Sequence, residues 1–197
     1  MRITKSRNKH RQIAYTAELS EYDAEPPSRT WLLDELPNQI NPELEAVALY
    51  LIFGSWCGGE FHVPQKMGPN TAAAISRHAG MDFFPYPIEF YPKPIYRGGR
   101  TVRVTDSWPN TDEPFLISLS GANWSGSIKS TSSLVLSSNS DSFKSGRGLN
   151  HLLAPAVLLA EELNLAELLL DLDECQADLE SYSDLLRQVG VAVSFGV

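Results

Sequence analysis

The sequence predicts an α+β fold: an antiparallel sheet with N-terminal and C-terminal helices packed on it, preceded by an extended basic N-terminal arm. Three observations lead there. Two apolar segments with helix-capping residues lie before residue 80. Short β-type runs broken by turn residues fill roughly residues 83–138. A leucine-rich region follows from 151 to 189. A chain of 197 residues is long enough to bury its own core, so residues 14–197 read as one domain and 1–13 as the arm.

The arm carries Arg2, Lys5, Arg7, Lys9 and Arg11 and no acid. In an extended chain Lys5, Arg7, Lys9 and Arg11 point to one side and would offer a partner a row of positive charge. TWLLDELP (30–37) reads as a short helical turn ended by Pro37. Helix 42–53 has the clearest signals. Asn41 suits the N-cap, Pro42 the first turn, and Glu43 and Glu45 the positive end of the helix dipole, with Gly54 as a left-handed stop. Its run to Phe53 is apolar around much of the circumference, which predicts a central core helix. GSWCGGEFHVPQKMGP (54–69) reads as a loop, after which Asn70 caps a second helix, 71–79, closed by Gly80.

Pro85, Pro87, Pro92 and Pro94 alternate with aromatic residues in FFPYPIEFYPKPI (83–95). Prolines at this density exclude a helix and a central strand, leaving an extended edge or a polyproline-like arm. Residues 100–106, 114–120, 125–131 and 132–138 read as strands of the antiparallel sheet, and the serine-rich SSNSDSFKSGRG (137–148) as a mobile loop. Residues 151–164 read as a helix containing Pro155. Leu165, Leu168, Leu172, Cys175, Leu179, Tyr182, Leu186 and Val189 are spaced 3-4-3-4-3-4-3, the seam of a long amphipathic helix. GVAVSFGV (190–197) reads as a last strand rejoining the sheet.

Chemistry is sparse. Cys57 and Cys175 make neither a disulfide framework nor a CxxC pair. Cys175 falls in the seam, where a thiol packs as a small apolar group. Cys57 has possible partners in His62 and Glu60, which define one alternative, a cysteine-dependent enzyme. Yet Cys57 follows a helix C-terminus, whose dipole disfavours a thiolate, and the C-x4-H spacing matches no strong metal pattern. An architectural thiol in a glycine turn is the preferred reading. No catalytic residue, cofactor or metal is assigned.

LYLIFGSWCGG (49–59) resembles the WCG turn of thioredoxin-like proteins, which implies a redox thiol at Cys57. Glu60 stands where the resolving cysteine would be, and the preceding segment is capped as a helix rather than a strand. GGEFHVPQK (58–66) resembles the GG turn and Pro-Lys region of phage Mor-type transcription activators. A proline-rich segment follows here instead of their helix-turn-helix. Neither likeness is carried over to fold or activity.

Net charge is −8, which argues against direct nucleic-acid binding by the whole chain. The longest apolar run, 46–53, is too short to span a membrane, and the basic start lacks an apolar signal region. The expectation is a cytoplasmic protein, or a virion component if the chain comes from a phage. The charge is polarised, basic in the arm and acidic over 161–184. Asp171, Glu174 and Asp178 are the acidic candidates for binding, opposite Lys5, Arg7, Lys9 and Arg11. This pattern predicts a non-catalytic assembly or adaptor protein, of head–tail adaptor type, binding a protein partner or itself. The alternative to self-assembly is an acidic inhibitor or immunity-type protein that blocks a basic site on a nuclease or DNA-binding partner.

Overall fold

The computed structural model describes residues 1–7, 12–34, 39–80, 82–92, 94–105, 114–120, 126–130, 133–144, 148–170 and 179–195. Three strands come first: β1 (Arg2–Arg7), β2 (Ile13–Glu18) and β3 (Thr30–Leu33). Helix α1 (Pro42–Phe53), strand β4 (Glu60–Met67), helix α2 (Pro69–Ala79) and strand β5 (Phe84–Ile88) follow. Next are β6 (Arg100–Thr105), β7 (Phe115–Ser120), β8 (Ile128–Lys129) and β9 (Leu134–Ser138). The chain then forms α3 (Asn150–Leu158), α4 (Ala160–Leu163), β10 (Leu165–Leu170), α5 (Leu179–Arg187) and β11 (Ala192–Phe195).

The strands form one mixed sheet in the order β11-β10-β6-β7-β9-β3-β2-β1-β4-β5, with β8 beside β9. Strands β11, β10, β6, β7 and β9 are mutually parallel. Strands β9, β3, β2 and β1 are successively antiparallel, and β4 and β5 add in parallel to β1. The expected antiparallel sheet is therefore wrong. The physical reason lies in the strands themselves: Leu134–Ser138 is buried at every position, as in a strand covered on both faces, and shows no in–out alternation.

The N-terminal arm is corrected as well. The chain opens with strands rather than a free arm and a helix, and β1 lies inside the sheet between β2 and β4. Ile3 is buried in the core, so the first residues are held by packing as well as by ladder bonds. Thr30–Leu33 is strand β3 and not a helical turn, with Trp31 and Leu33 buried and Thr30 and Leu32 on the other face. Residues 60–67, read as loop, are strand β4, whose Phe61, Val63 and Met67 are buried.

Helix α1 forms where the sequence placed it. The Asn41 side chain accepts a bond from the Glu43 amide at 3.0 Å. Every residue from Leu44 to Phe53 is buried, because α1 packs on β4 and against α2 and α3. Gly54 is right-handed, at φ −58°, and leads into a 3-10 turn instead of stopping the helix. A Cβ there would lie 2.5 Å from the Tyr50 ring. Helix α2 ends at Gly80, left-handed at φ 65° as expected.

The leucine seam does not form one helix. Leu165–Leu170 is strand β10, wedged between β6 and β11, and among the described residues of the seam the helical ones are Leu179–Arg187. Leucine's helical preference is worth only a few tenths of a kcal/mol per residue, which burial in a central strand exceeds. Asn164, left-handed at φ 52°, ends α4 and starts the strand. The final strand does rejoin the sheet, as β11. No helix among the described residues is long and apolar enough to cross a membrane.

Candidate functional site

Cys57 sits just past the 3-10 turn, 4% exposed, and its Sγ donates to the Glu60 carbonyl at 3.3 Å. Burial pushes the thiol up from its ordinary value, and the nearby Asp23 carboxylate adds to this. Asp23 accepts bonds from the Gly58 amide, the Ser20 amide and hydroxyl, and the Met1 amine. Burial works to raise the Asp23 carboxyl, but these bonds outweigh it and bring it to about 2. The imidazole of His62 is elsewhere. It stacks on Tyr86, with ring centroids 5.2 Å apart, and its Nε2 is 3.7 Å from Glu60 Oε2. The structure thus joins His62 to Glu60, and Cys57 to the Glu60 backbone alone.

Lys5 lies on β1 against a buried acid that sequence reasoning assigned only to the helix dipole. Glu45, 1% exposed, accepts from Lys5 Nζ at 2.7 Å and from the Tyr15 hydroxyl at 2.6 Å on one oxygen. Its other oxygen accepts from Gln65 Nε2 at 2.7 Å. Burial first, then the carboxylate, raise the Tyr15 hydroxyl far above its ordinary value, so it remains a donor. The signal that could have found this cluster was a lone acid inside the apolar run 44–53. Arg7 is exposed at the end of β1. Lys9, Arg11, Asp171, Glu174, Asp178 and Cys175 lie outside the described residues.

Two surfaces stand out on the sheet. The first is the carboxyl edge of the parallel strands. The chain steps from β6 to β7 to β9 in one direction, then returns to the far side of β6 for β10 and β11. Connections therefore diverge between β6 and β10, whose ends meet at Val104 and Leu170. Hydroxyl side chains crowd this edge: Thr105 ends β6, and Ser137 and Ser138 end β9. Ser138 and Ser140 bond each other at 2.6 Å, and Ser140 also accepts from Trp31 Nε1. Asp141 and Ser142, in the following 3-10 turn, are exposed.

The second surface is edge strand β5 and its continuation. Tyr91 is 92% exposed and Phe90 76%, with Phe84, Tyr86 and Ile95 also exposed. The Phe84 amide bonds inward to the Gly59 carbonyl at 2.9 Å, so Pro85 stands where the next N–H would face the free edge. Pro87 likewise has no N–H to offer. The edge cannot extend the sheet in the usual way, yet it displays aromatic side chains. Among the described residues no group of three or more His, Cys, Asp or Glu is placed to hold a metal ion. No protein-family model, curated protein or solved structure matches the chain.

Proposed function

We propose that the protein binds a small polar ligand of the nucleotide class at the carboxyl edge of its parallel strands. The observation that carries this reading is the divergence of connections between β6 and β10. In open α/β sheets such a switch point leaves a crevice outside the strand ends, and ligands bind there. With the short antiparallel β8 set aside, the parallel strands run β9-β7-β6-β10-β11, in chain order 3-2-1-4-5, which matches the first five of the six strands of dinucleotide-binding sheets. Exposed Asp141 and Ser142, in the turn that follows β9, supply polar partners.

The test is thermal unfolding with a panel of mono-, di- and trinucleotides and dinucleotides, with and without magnesium. A ligand at a hundred times its Kd adds about 2.7 kcal/mol, or roughly 5–11 °C in a chain of this size. Amide shifts on binding should cluster at Thr105, Asp141, Ser142 and Leu170. No thermal shift with any member would remove the reading.

A second reading is the non-catalytic assembly or adaptor role, through protein–protein contacts. It is favoured by the run of exposed aromatics from Phe84 to Tyr91, since contiguous exposed apolar surface marks partner sites. With Lys5 held by Glu45, this reading puts the contact at β5 rather than in the arm. Light scattering after gel filtration, at low and high salt, tests self-assembly. An oligomer lost in a Phe90→Ser, Tyr91→Ser variant would support the reading. A monomer that also captures no partner dependent on those two residues would end it.

A further inference from the structure

The N-terminal strands expose one face, on which Arg2, Glu18, Glu60, Phe84 and Tyr86 are all exposed. Ile3, Ala17 and Phe61 point to the other side and join residues of α1 and α2 in the core. One rung crosses the exposed face: Tyr86 on β5 pairs with His62 on β4, His62 with Arg2 on β1, and Arg2 with Glu18 on β2. Phe84 and Glu60 form a second rung beside it. The rings of Phe84, Tyr86 and His62 therefore stand on one side of the sheet. Tyr86 is 40% exposed and Phe84 50%. The imidazole of His62 lies against one face of the Tyr86 ring, with centroids 5.2 Å apart and planes at 25°. Because β5 is an edge strand and β4 its inner neighbour, the other face of the Tyr86 ring turns to the free edge.

We propose that these rungs bind a neutral polysaccharide, with one sugar ring stacked on Tyr86. A pyranose has an apolar C–H face and a rim of hydroxyls, so it needs an aromatic ring beneath it and polar groups at its sides. Tyr86 supplies the ring, backed by His62, which lowers the ordering cost of binding. Glu60, whose Oε2 lies 3.7 Å from His62 Nε2, is the hydroxyl acceptor, and Arg2, next along the rung, a donor. Neighbouring strands are about 4.8 Å apart, close to the length of one sugar unit. Other occupants fit less well. A nucleic acid would also stack on Tyr86, but its phosphates would meet Glu60 and Glu18 against one fixed cation, Arg2. An extended peptide cannot add to this edge, because Pro85 and Pro87 offer it no N–H. The site uses the face of β5 rather than exposed Phe90 and Tyr91, and it stands apart from the carboxyl edge of the parallel strands.

The experiment is affinity electrophoresis of the full chain in gels cast with β-glucan, xylan, mannan or starch, with a gel shift on single-stranded DNA beside it. At least one polysaccharide should retard the chain. Tyr86→Ala should weaken this about tenfold, and Tyr86→Phe should keep most of it. Glu60→Ala, at an exposed position, leaves the ring in place and should weaken retardation several-fold. Phe90→Ser with Tyr91→Ser should leave it unchanged, which separates this site from a protein contact at those residues. Circular dichroism checks that each variant is native. No retardation by any of these polysaccharides, unchanged retardation in Tyr86→Ala or Glu60→Ala, or a shift of DNA in place of polysaccharide would each overturn the proposal.

Discussion

Replacing Glu45 by alanine tests whether the polar cluster under α1 supports the fold. Glu45 is 1% exposed and accepts from Lys5, Tyr15 and Gln65 within 2.7 Å. Truncation removes the acceptor for all three. It leaves a buried phenol, an amide and a partly buried ammonium without it. Breaking a buried pair by deleting one partner is worth roughly 3–5 kcal/mol. With a urea m-value of about 2.5 kcal/mol/M, a loss of ~4 kcal/mol lowers the unfolding midpoint by ~1.6 M. Lys5→Met should cost a similar amount, because Tyr15 and Gln65 keep the buried Glu45 carboxylate hydrogen-bonded but leave it without a countercharge. The two losses should not add, with a coupling of about 1–3 kcal/mol in the double-mutant cycle. The assay is equilibrium urea unfolding followed by tryptophan fluorescence, since Trp31 stacks on Tyr15 at 5.7 Å. A loss under about 1 kcal/mol for Glu45→Ala, or strictly additive mutants, would refute the account.

Three further outcomes follow from the geometry. Gly190→Ala should destabilise by several kcal/mol, because φ is +78° and the new Cβ would meet the Tyr96 carbonyl at 1.9 Å. Gly126→Ala, also left-handed but with nothing within 4 Å, should cost only about 1 kcal/mol; equal effects in urea unfolding would contradict this. Cys57, buried and with its thiol raised, should react with iodoacetamide more slowly than a free thiol in the native state; labelling at the rate of cysteine in the unfolded chain would show the burial to be wrong. Asp23 has its carboxyl lowered from 3.8 to about 2, so its contribution is present above pH 4 and lost as pH falls towards 2. The stability gap between wild type and Asp23→Asn should narrow over that window, and a constant gap would count against the Asp23 bonds.

Local signals were legible where one residue type dictates one conformation. Asn41, Pro42 and Gly80 marked helix boundaries that the structure retains, and the prolines of 85–94 marked an edge. The failures were matters of pairing and context. The leucines of 165–170 fit a heptad, and only the sheet places them in a strand; Asn164 was the local sign that the helix ended there. The parallel strands were readable in principle from the unalternating LVL of 134–136. Glu45 and Lys5 are 40 residues apart in sequence, so nothing local linked the acid in α1 to the cation in β1. The carboxyl-edge surface was invisible for the same reason, since it exists only once strand order is known.

The sheet is continuous by hydrogen bonds but not uniform in strength. Its parallel half and its N-terminal half meet at a single register pair, Leu33 with Ser138. Backbone bonds flank it, from the Asp34 amide to the Ser137 carbonyl at 3.0 Å and from the Asn139 amide to the Leu32 carbonyl at 3.3 Å, and one side chain adds to them. Asn139 accepts from the Leu32 amide at 2.7 Å and donates to the Thr30 carbonyl at 2.8 Å. A carboxamide thus takes the place of a peptide group and extends β9 sideways along β3. Mechanically this is a narrow joint: two groups of strands held together over a few rungs, which one carboxamide lengthens by a further pair of bonds. In native-state hydrogen exchange, Asn139→Ala should lower protection first at the Leu32 amide, which loses its acceptor.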